Sequence, residues 1–178
     1  MDPNRDPISL LEALEQRSLQ HAHGLPLQVE VKPTWTGIGF RLGDNRLVAG
    51  LDEVQEILPY PGLTRIPGAR PWIKGIANVR GNLLPVMDLN EHLRHEATPI
   101  TSRCKVLVTS HDEITAGFLV DEVLGLQHFL LEEKVDNAVI LDPSLRPYVH
   151  QGFQRESQFW GLFSFRSVVT HPAFFEVA

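Results

Sequence analysis

Beyond residue 34 the chain is cut into short β-prone runs, each closed by Gly, Pro, Asn or Asp. The runs are Trp35–Leu42, Leu47–Ile57, Trp72–Val79, Leu83–Leu89, Lys105–Thr109, Ile114–Val120, Val123–Phe129, Tyr148–Gln154 and Phe159–Phe165. Turn signals stand between them at Gly43-Asp44-Asn45, Pro59-Tyr60-Pro61-Gly62, Gly81-Asn82 and Ser110-His111-Asp112-Glu113. Many short strands with evenly spaced turns imply a sandwich or barrel rather than a doubly wound sheet. A short helix is expected in Asp88-Leu89-Asn90-Glu91-His92-Leu93. A second covers residues 6–22, where Asp6 can cap, Pro7 needs no N–H, and Ile8, Leu11 and Leu14 keep helical spacing. Residues 24–34, with Pro26 and Pro33, read as a linker, so the chain divides into an N-terminal helix with linker (1–34) and a β domain (35–178).

The runs repeat. Ala49-Gly50-Leu51-Asp52-Glu53-Val54-Gln55-Glu56-Ile57 resembles Ala116-Gly117-Phe118-Leu119-Val120-Asp121-Glu122-Val123-Leu124-Gly125-Leu126 with two residues inserted, and Asp52 and Asp121 are 69 residues apart (121 − 52). Pro71-Trp72-Ile73-Lys74-Gly75 resembles Pro147-Tyr148-Val149-His150-Gln151-Gly152, with the prolines 76 apart (147 − 71). Two matches in the same order at nearly equal offsets favour a duplicated β unit over chance.

Composition removes several functions. With 16 Lys and Arg against 22 Asp and Glu, the net charge is -6, which opposes a grip on nucleic acid, and no basic cluster suits an anionic membrane. No apolar run approaches the roughly 20 residues of a membrane span. Cys104 is the single cysteine, so no internal disulfide or four-cysteine zinc site is expected. The first residues lack the pattern of a secretion signal, and the expected location is the cytosol. A Gly-rich phosphate loop, a Gly-x-Ser-x-Gly elbow and a His-Glu-x-x-His helix are all missing. The pairs His21/His23 and His92/His95 lack partners that would complete a metal site. No catalytic group, cofactor or metal is therefore expected. The runner-up is an enzyme using His128 with Asp121 or Glu122, although neighbours on a strand point to opposite faces.

The densest signal is Trp72 to Leu89, a hairpin expected to turn at Gly81-Asn82. Alternation places Asn78 and Arg80 on one face, with Ala77 and Val79 on the other. Arg80 at the tip offers a planar fork suited to a partner carboxylate. Taken alone, the hairpin is more simply read with a solvated Arg80, or one paired to acids of its own chain.

From Val48 to Leu89 the sequence resembles the first half of a CheW-like domain. The likeness lies in Asp52-Glu53-Val54-Gln55-Glu56-Ile57, Leu63-Thr64-Arg65-Ile66-Pro67, Trp72-Ile73-Lys74-Gly75 and Asn78-Val79-Arg80-Gly81, followed by Pro85-Val86-Met87-Asp88-Leu89. Gly117-Phe118-Leu119-Val120-Asp121-Glu122-Val123 resembles the matching step of the second half, and the likeness covers roughly residues 35–165. Within the family the chain is most similar to PilI-type adaptors of twitching-motility chemosensory systems, through its helical extension, Trp35-Thr36-Gly37-Ile38-Gly39-Phe40-Arg41, and His171-Pro172-Ala173-Phe174-Phe175.

The resemblance implies two small five-stranded SH3-like β-barrels around a shared core, one over 35–95 and one over 103–165, with a tail over 166–178. It implies an adaptor without catalysis that links the signalling tip of a methyl-accepting chemoreceptor to a CheA-type histidine kinase. Carried over by motif position, the binding residues are Val54, Glu56, Gly75, Asn78, Arg80, Gly81 and Gly117. Core packing is a serious rival role for Val54, and backbone geometry for Gly75 and Gly117. Leu58 and Tyr60 would be exposed, with Arg80 and Glu56 at the rim; an Arg80 engaged by its own chain would count against this role. The sequence departs from the family at Trp160-Gly161-Leu162-Phe163-Ser164-Phe165-Arg166, which lacks the acid of the Asp88-Leu89 step, and at Gln151-Gly152-Phe153-Gln154-Arg155. A third possibility, a small nucleic-acid-binding barrel, shares this texture but not the charge.

Overall fold

The computed structural model describes residues 32–136 and 141–176, with 8, 11, 12 and 14–17. Those few N-terminal residues are helical and exposed, in keeping with the helix expected there; most of that helix and its linker lie outside the described residues. In the unit beginning at Pro33, eleven strands follow in order: β1 (Thr34–Leu42), β2 (Asn45–Gly50), β3 (Glu56–Pro59), β4 (Ile73–Val79), β5 (Asn82–Asp88), β6 (Lys105–His111), β7 (Ile114–Val120), β8 (Glu122–Leu130), β9 (Lys134–Val135), β10 (Val149–Arg155) and β11 (Gln158–Phe163). Two short helices, α1 (Leu89–Arg94) and α2 (Phe165–Thr170), follow β5 and β11. The run expected over Leu47–Ile57 is broken, because a turn after Gly50 brings Leu51 to the surface before β3 begins.

The strands form a five-stranded sheet, β3-β6-β7-β5-β4, and a six-stranded sheet, β8-β1-β2-β11-β10-β9. Each curls because one stretch of chain serves both edges. Glu56–Pro59 pairs with β6, and Thr64 then exchanges two backbone hydrogen bonds of 2.9 Å with Ile76 of β4. In the other sheet β8 borders β1, and β9, shortly after it, borders β10.

The registers reproduce the duplication. Leu42 opposes Asn45 in β1–β2, and His111 opposes Ile114 in β6–β7, each position 69 further on (42 to 111, 45 to 114). Val79 opposes Asn82 in β4–β5, and Arg155 opposes Gln158 in β10–β11, each 76 further on (79 to 155, 82 to 158). The bulge recurs too, between Ile73 and Gly75 and between Val149 and Gln151. The parallel contacts obey both offsets at once: Val86 faces Gly117, and Leu162 faces Val48.

Those parallel contacts also correct the expected division of the domain. Residues 35–95 and 103–165 are the two copies, but neither copy makes a barrel alone. Hairpin β1–β2 completes the sheet of the second copy, and β6–β7 that of the first. The cause is that the exchanged strands have two apolar faces to bury. Leu47 and Ala49 enter a large cluster shared by both sheets, while Val48 enters a smaller one with Phe129, Phe153 and Trp160. Leu107 and Phe118 join the shared cluster, while Val106, Val108 and Leu119 pack with Ala77, Leu84 and Val86.

Helix capping explains the acid missing from the second copy. Asp88, fully buried, caps α1 by accepting from the Glu91 N–H at 3.2 Å, and it also accepts from the Thr98 N–H and hydroxyl. Lys74 lies 3.3 Å from Asp88 and 2.6 Å from Glu91. Burial alone would lower the Lys74 pKa, but the Glu91 hydrogen bond and the charges of Asp88 and Glu91 outweigh it and hold it above its ordinary value. At the equivalent position, 76 residues on, Ser164 caps α2. The carboxylate comes from elsewhere: Glu53 accepts from the Ser164 hydroxyl at 3.1 Å and from the Phe165 N–H at 2.5 Å. Replacing Glu53 with Ala should therefore cost about 2 kcal/mol in urea unfolding, the worth of hydrogen bonds to a charged acceptor at a partly buried site.

Candidate protein-interaction site

The tip of β4–β5 is a two-residue turn with Arg80 at φ 52 and Gly81 at φ 87, so it centres on Arg80-Gly81, one residue before the expected Gly81-Asn82. Two successive positive φ values are what a type I′ hairpin requires. Asn78 braces the turn by accepting the Gly81 N–H at 2.9 Å. Glu156 takes φ 53 at the equivalent place in the second copy, so the conformation of Arg80 follows from hairpin register rather than from special strain.

Glu56, the first residue of β3, sits beside this tip. Its carboxylate receives Arg80 Nη2 at 2.6 Å and Nη1 at 3.5 Å. Arg80 is thus engaged by its own chain, the observation that counts against a free fork. The Arg80 side chain nevertheless remains 78% exposed, against 31% for Glu56. An ion pair so open to water is worth at most about 1 kcal/mol, so a competing carboxylate displaces it at little cost.

The pair borders a groove of about 450 Å³. Leu84 and Val108, both buried, and half-buried Val79 form its apolar floor, while Gln55, Asn82 and Thr115 supply polar walls. Leu83 stands at its edge, 74% exposed. An apolar floor with a polar rim and one movable charge pair suits a protein surface; among the described residues no group of three or more His, Cys, Asp or Glu could hold a metal.

Of the seven expected binding residues, Glu56, Asn78, Arg80 and Gly81 meet at this tip. The other three lie inside. Val54 is buried in the shared core. Gly75 is buried at the β4 bulge with φ +141, where a Cβ would run into the Thr64 carbonyl oxygen. Gly117 is buried too, and a Cβ there would stand 2.6 Å from Val106 Cγ1 and 3.2 Å from Leu84 Cδ2. Leu58 and Tyr60, expected at the surface, are half-buried against the small core of the five-stranded sheet. Leu83, Gln55 and Thr115 escaped the sequence reading. Alternation could have exposed Leu83, since Leu84 and Val86 take the inward positions of β5.

The rival enzyme site does not assemble. Thr36 Oγ1 lies 2.8 Å from exposed His128 Nδ1, Asp121 accepts from the Gly43 N–H at 2.6 Å, and Glu122 pairs with Arg41 at 3.4 Å. His128 is six residues along β8 from Glu122, a strand length of roughly 20 Å. His92 and His95 are apart in role as well, His92 packed on Trp72 and His95 closing α1 at φ 60. His21 and His23 lie outside the described residues.

Comparison with known proteins agrees with this fold. The CheW-like domain family matches residues 36–172. Protein PilI of Pseudomonas aeruginosa is 42% identical across 100% of this chain and 99% of its own. Protein FrzA of Myxococcus xanthus is 33% identical over 67% of this chain and 71% of its own. Scaffolding protein TtCheW from Thermoanaerobacter tengcongensis has the same fold, with TM-score 0.67 at 17% identity over 79% of this chain and 96% of that one. The chain belongs to the CheW-like family, a family of scaffold and adaptor proteins. No helix among the described residues is long and apolar enough to cross a membrane.

The geometry separates exposed from buried residues among the seven positions, and stability should follow that division. Arg80→Ala should change unfolding free energy by less than about 1 kcal/mol, as expected of an exposed ion pair. Gly75→Ala and Gly117→Val should each cost more than about 2 kcal/mol, the price of backbone strain or overpacking. Parallel chemical-denaturation curves would check both.

Proposed function

We propose that this protein is a non-catalytic adaptor that couples a methyl-accepting chemoreceptor to a CheA-type histidine kinase, working at the cytoplasmic face of a system that controls type IV pilus twitching motility. The observation that carries this reading is the apolar groove edged by exposed Leu83, with Arg80 at its rim still 78% exposed despite its pairing with Glu56. The full-length likeness to PilI supports the choice of system.

In this reading the receptor tip presents an amphipathic helix. Its apolar stripe covers Leu83, Val79 and Leu84, and its carboxylate draws Arg80 away from Glu56. The kinase takes another surface. Leu126 on β8 is the counterpart of Ile57 on β3 (57 to 126), and both are exposed. That gives each barrel an outward apolar contact of its own. Holding both partners lets receptor state reach the kinase as a coupling free energy of about 1–3 kcal/mol.

Purified protein should bind a receptor signalling-tip fragment and a CheA-type kinase fragment from the same organism. Arg80→Asp should weaken receptor binding at least about tenfold, since it places like charges on Glu56 and on the incoming carboxylate, and should leave kinase affinity unchanged. Binding of neither partner by the folded wild type would refute the adaptor reading. Unaltered receptor affinity in Arg80→Asp would remove this groove from it.

A further inference from the structure

The last described residues are tied down by two histidines. After α2 the chain turns at His171 into the 3-10 turn Pro172–Phe175. Phe174 is buried, with ring centroids 6.2 Å from Phe118, 6.3 Å from Trp72 and 6.4 Å from His92. His92 reaches this seat from α1, its ring 4.4 Å from Trp72. Its Nε2 is buried without a hydrogen-bond partner. At the start of the turn, His171 Nδ1 accepts the Ala173 N–H at 3.2 Å, and its ring packs edge-on against Tyr148 at 5.9 Å. Arg70 and Glu176 close the far end at 3.9 Å.

Both histidines serve this arrangement only when neutral. A proton on His171 Nδ1 would set a donor against the Ala173 N–H it now caps. A charge on His92 would sit among aromatic rings, where a buried ion without a hydrogen-bond partner is costly. The charged neighbours give little relief. Glu91 is held by Lys74 at 2.6 Å, and Arg94 by Asp142 at 3.0 Å and Glu96 at 3.1 Å. Burial raises the Tyr148 pKa, so that phenol stays neutral throughout the range that matters. Glu176 is turned to Arg70.

We propose that His171 to Glu176 form an acid-released latch, in which protonation of His92 and His171 lifts Phe174 from its seat and uncovers Trp72 and Phe118 while both sheets stay folded. Burial, and then the charges of His171 and His95, hold the His92 pKa below its ordinary value. The closed latch is accordingly favoured in full above a pH of about 6.5, the unfolded histidine value, and loses that preference as the pH falls toward the lowered one. Each pKa unit by which closure lowers His92 multiplies the opening equilibrium about tenfold on acidification. The cation–π attraction of Trp72 for a charged imidazole acts the other way, so His171 is needed as the second trigger.

Hydrogen–deuterium exchange of the full chain at pH 7.5 and pH 5.0, corrected for intrinsic rates, tests this. Amides from Val168 to Glu176 should lose protection about tenfold or more at pH 5.0, while β6 and β7 keep theirs. His171→Asn, whose side chain can still cap Ala173, and His92→Phe, which fills the seat without charge, should each reduce the loss; together they should abolish it. Equal protection of the segment at both pH values would overturn the proposal. So would a parallel loss in β6 and β7, which means global unfolding, or an undiminished loss in His171→Asn. Should His92→Phe fail to fold, wild type and His171→Asn decide between these outcomes.

Discussion

The parallel pairing of β2 with β11, and of β5 with β7, is the constraint from which the rest of this structure follows. Each pairing joins a hairpin of one sequence copy to a hairpin of the other. Neither copy can then close its sheet alone, and the strands so exchanged are covered on both faces. The consequence is one cooperative body with three apolar clusters. The largest draws on both sheets and holds Phe40, Phe118, Phe163 and Phe165 together. Phe40 and Phe165 stack at 5.6 Å, and Phe118 of the five-stranded sheet lies 5.2 Å from Phe165, which follows β11 of the other, so aromatic contacts help carry the seam between the sheets.

Near-identical frames make the differences between the copies informative. Glu56 is matched by Gly125, Arg80 by Glu156 and exposed Leu83 by buried Phe159, on registers that otherwise coincide. The first copy's hairpin therefore carries a movable charge pair and an outward leucine where the second carries neither. In the six-stranded sheet Arg46 lies over Trp160 at 5.4 Å, and Arg155, 3.7 Å from Glu133, lies over Phe129 at 4.3 Å, so both arginines there cover aromatic rings. Duplication supplied two equivalent surfaces, and substitution at a few positions left one of them with an exposed leucine beside a solvent-exposed ion pair.

Ion pairs play unequal parts in the molecule. Asp88 is inaccessible to water and fully satisfied by Thr98, the Glu91 N–H and Lys74, so it fixes where β5 ends and α1 begins. Glu53 does the same for β11 and α2, from the turn after β2 in the other copy. Arg80 and Glu56 have similar distances but lie in water, where the pair contributes little to folding and is free to be exchanged. Equal geometry thus fixes structure in one place and leaves an exchangeable surface pair in another, with solvent access deciding which.

The sequence by itself determined the β-rich class, the duplication with both its offsets, and the hairpin bearing Asn78, Arg80 and Gly81. These were legible because alternation, turn residues and repeat spacing are local properties of the chain. The tertiary structure alone decided which hairpin completes which barrel, since two buried faces per strand look the same from sequence whichever partner covers them. It also decided that Val54, Gly75 and Gly117 lie inside while Leu83 lies outside. Motif position cannot separate a glycine kept for a partner from one kept because a Cβ would strike Thr64 or Val106. Nor could the sequence reveal that Glu53 stands in for the acid missing beside Ser164, because 111 residues of chain separate the two and only the fold brings them to 3.1 Å.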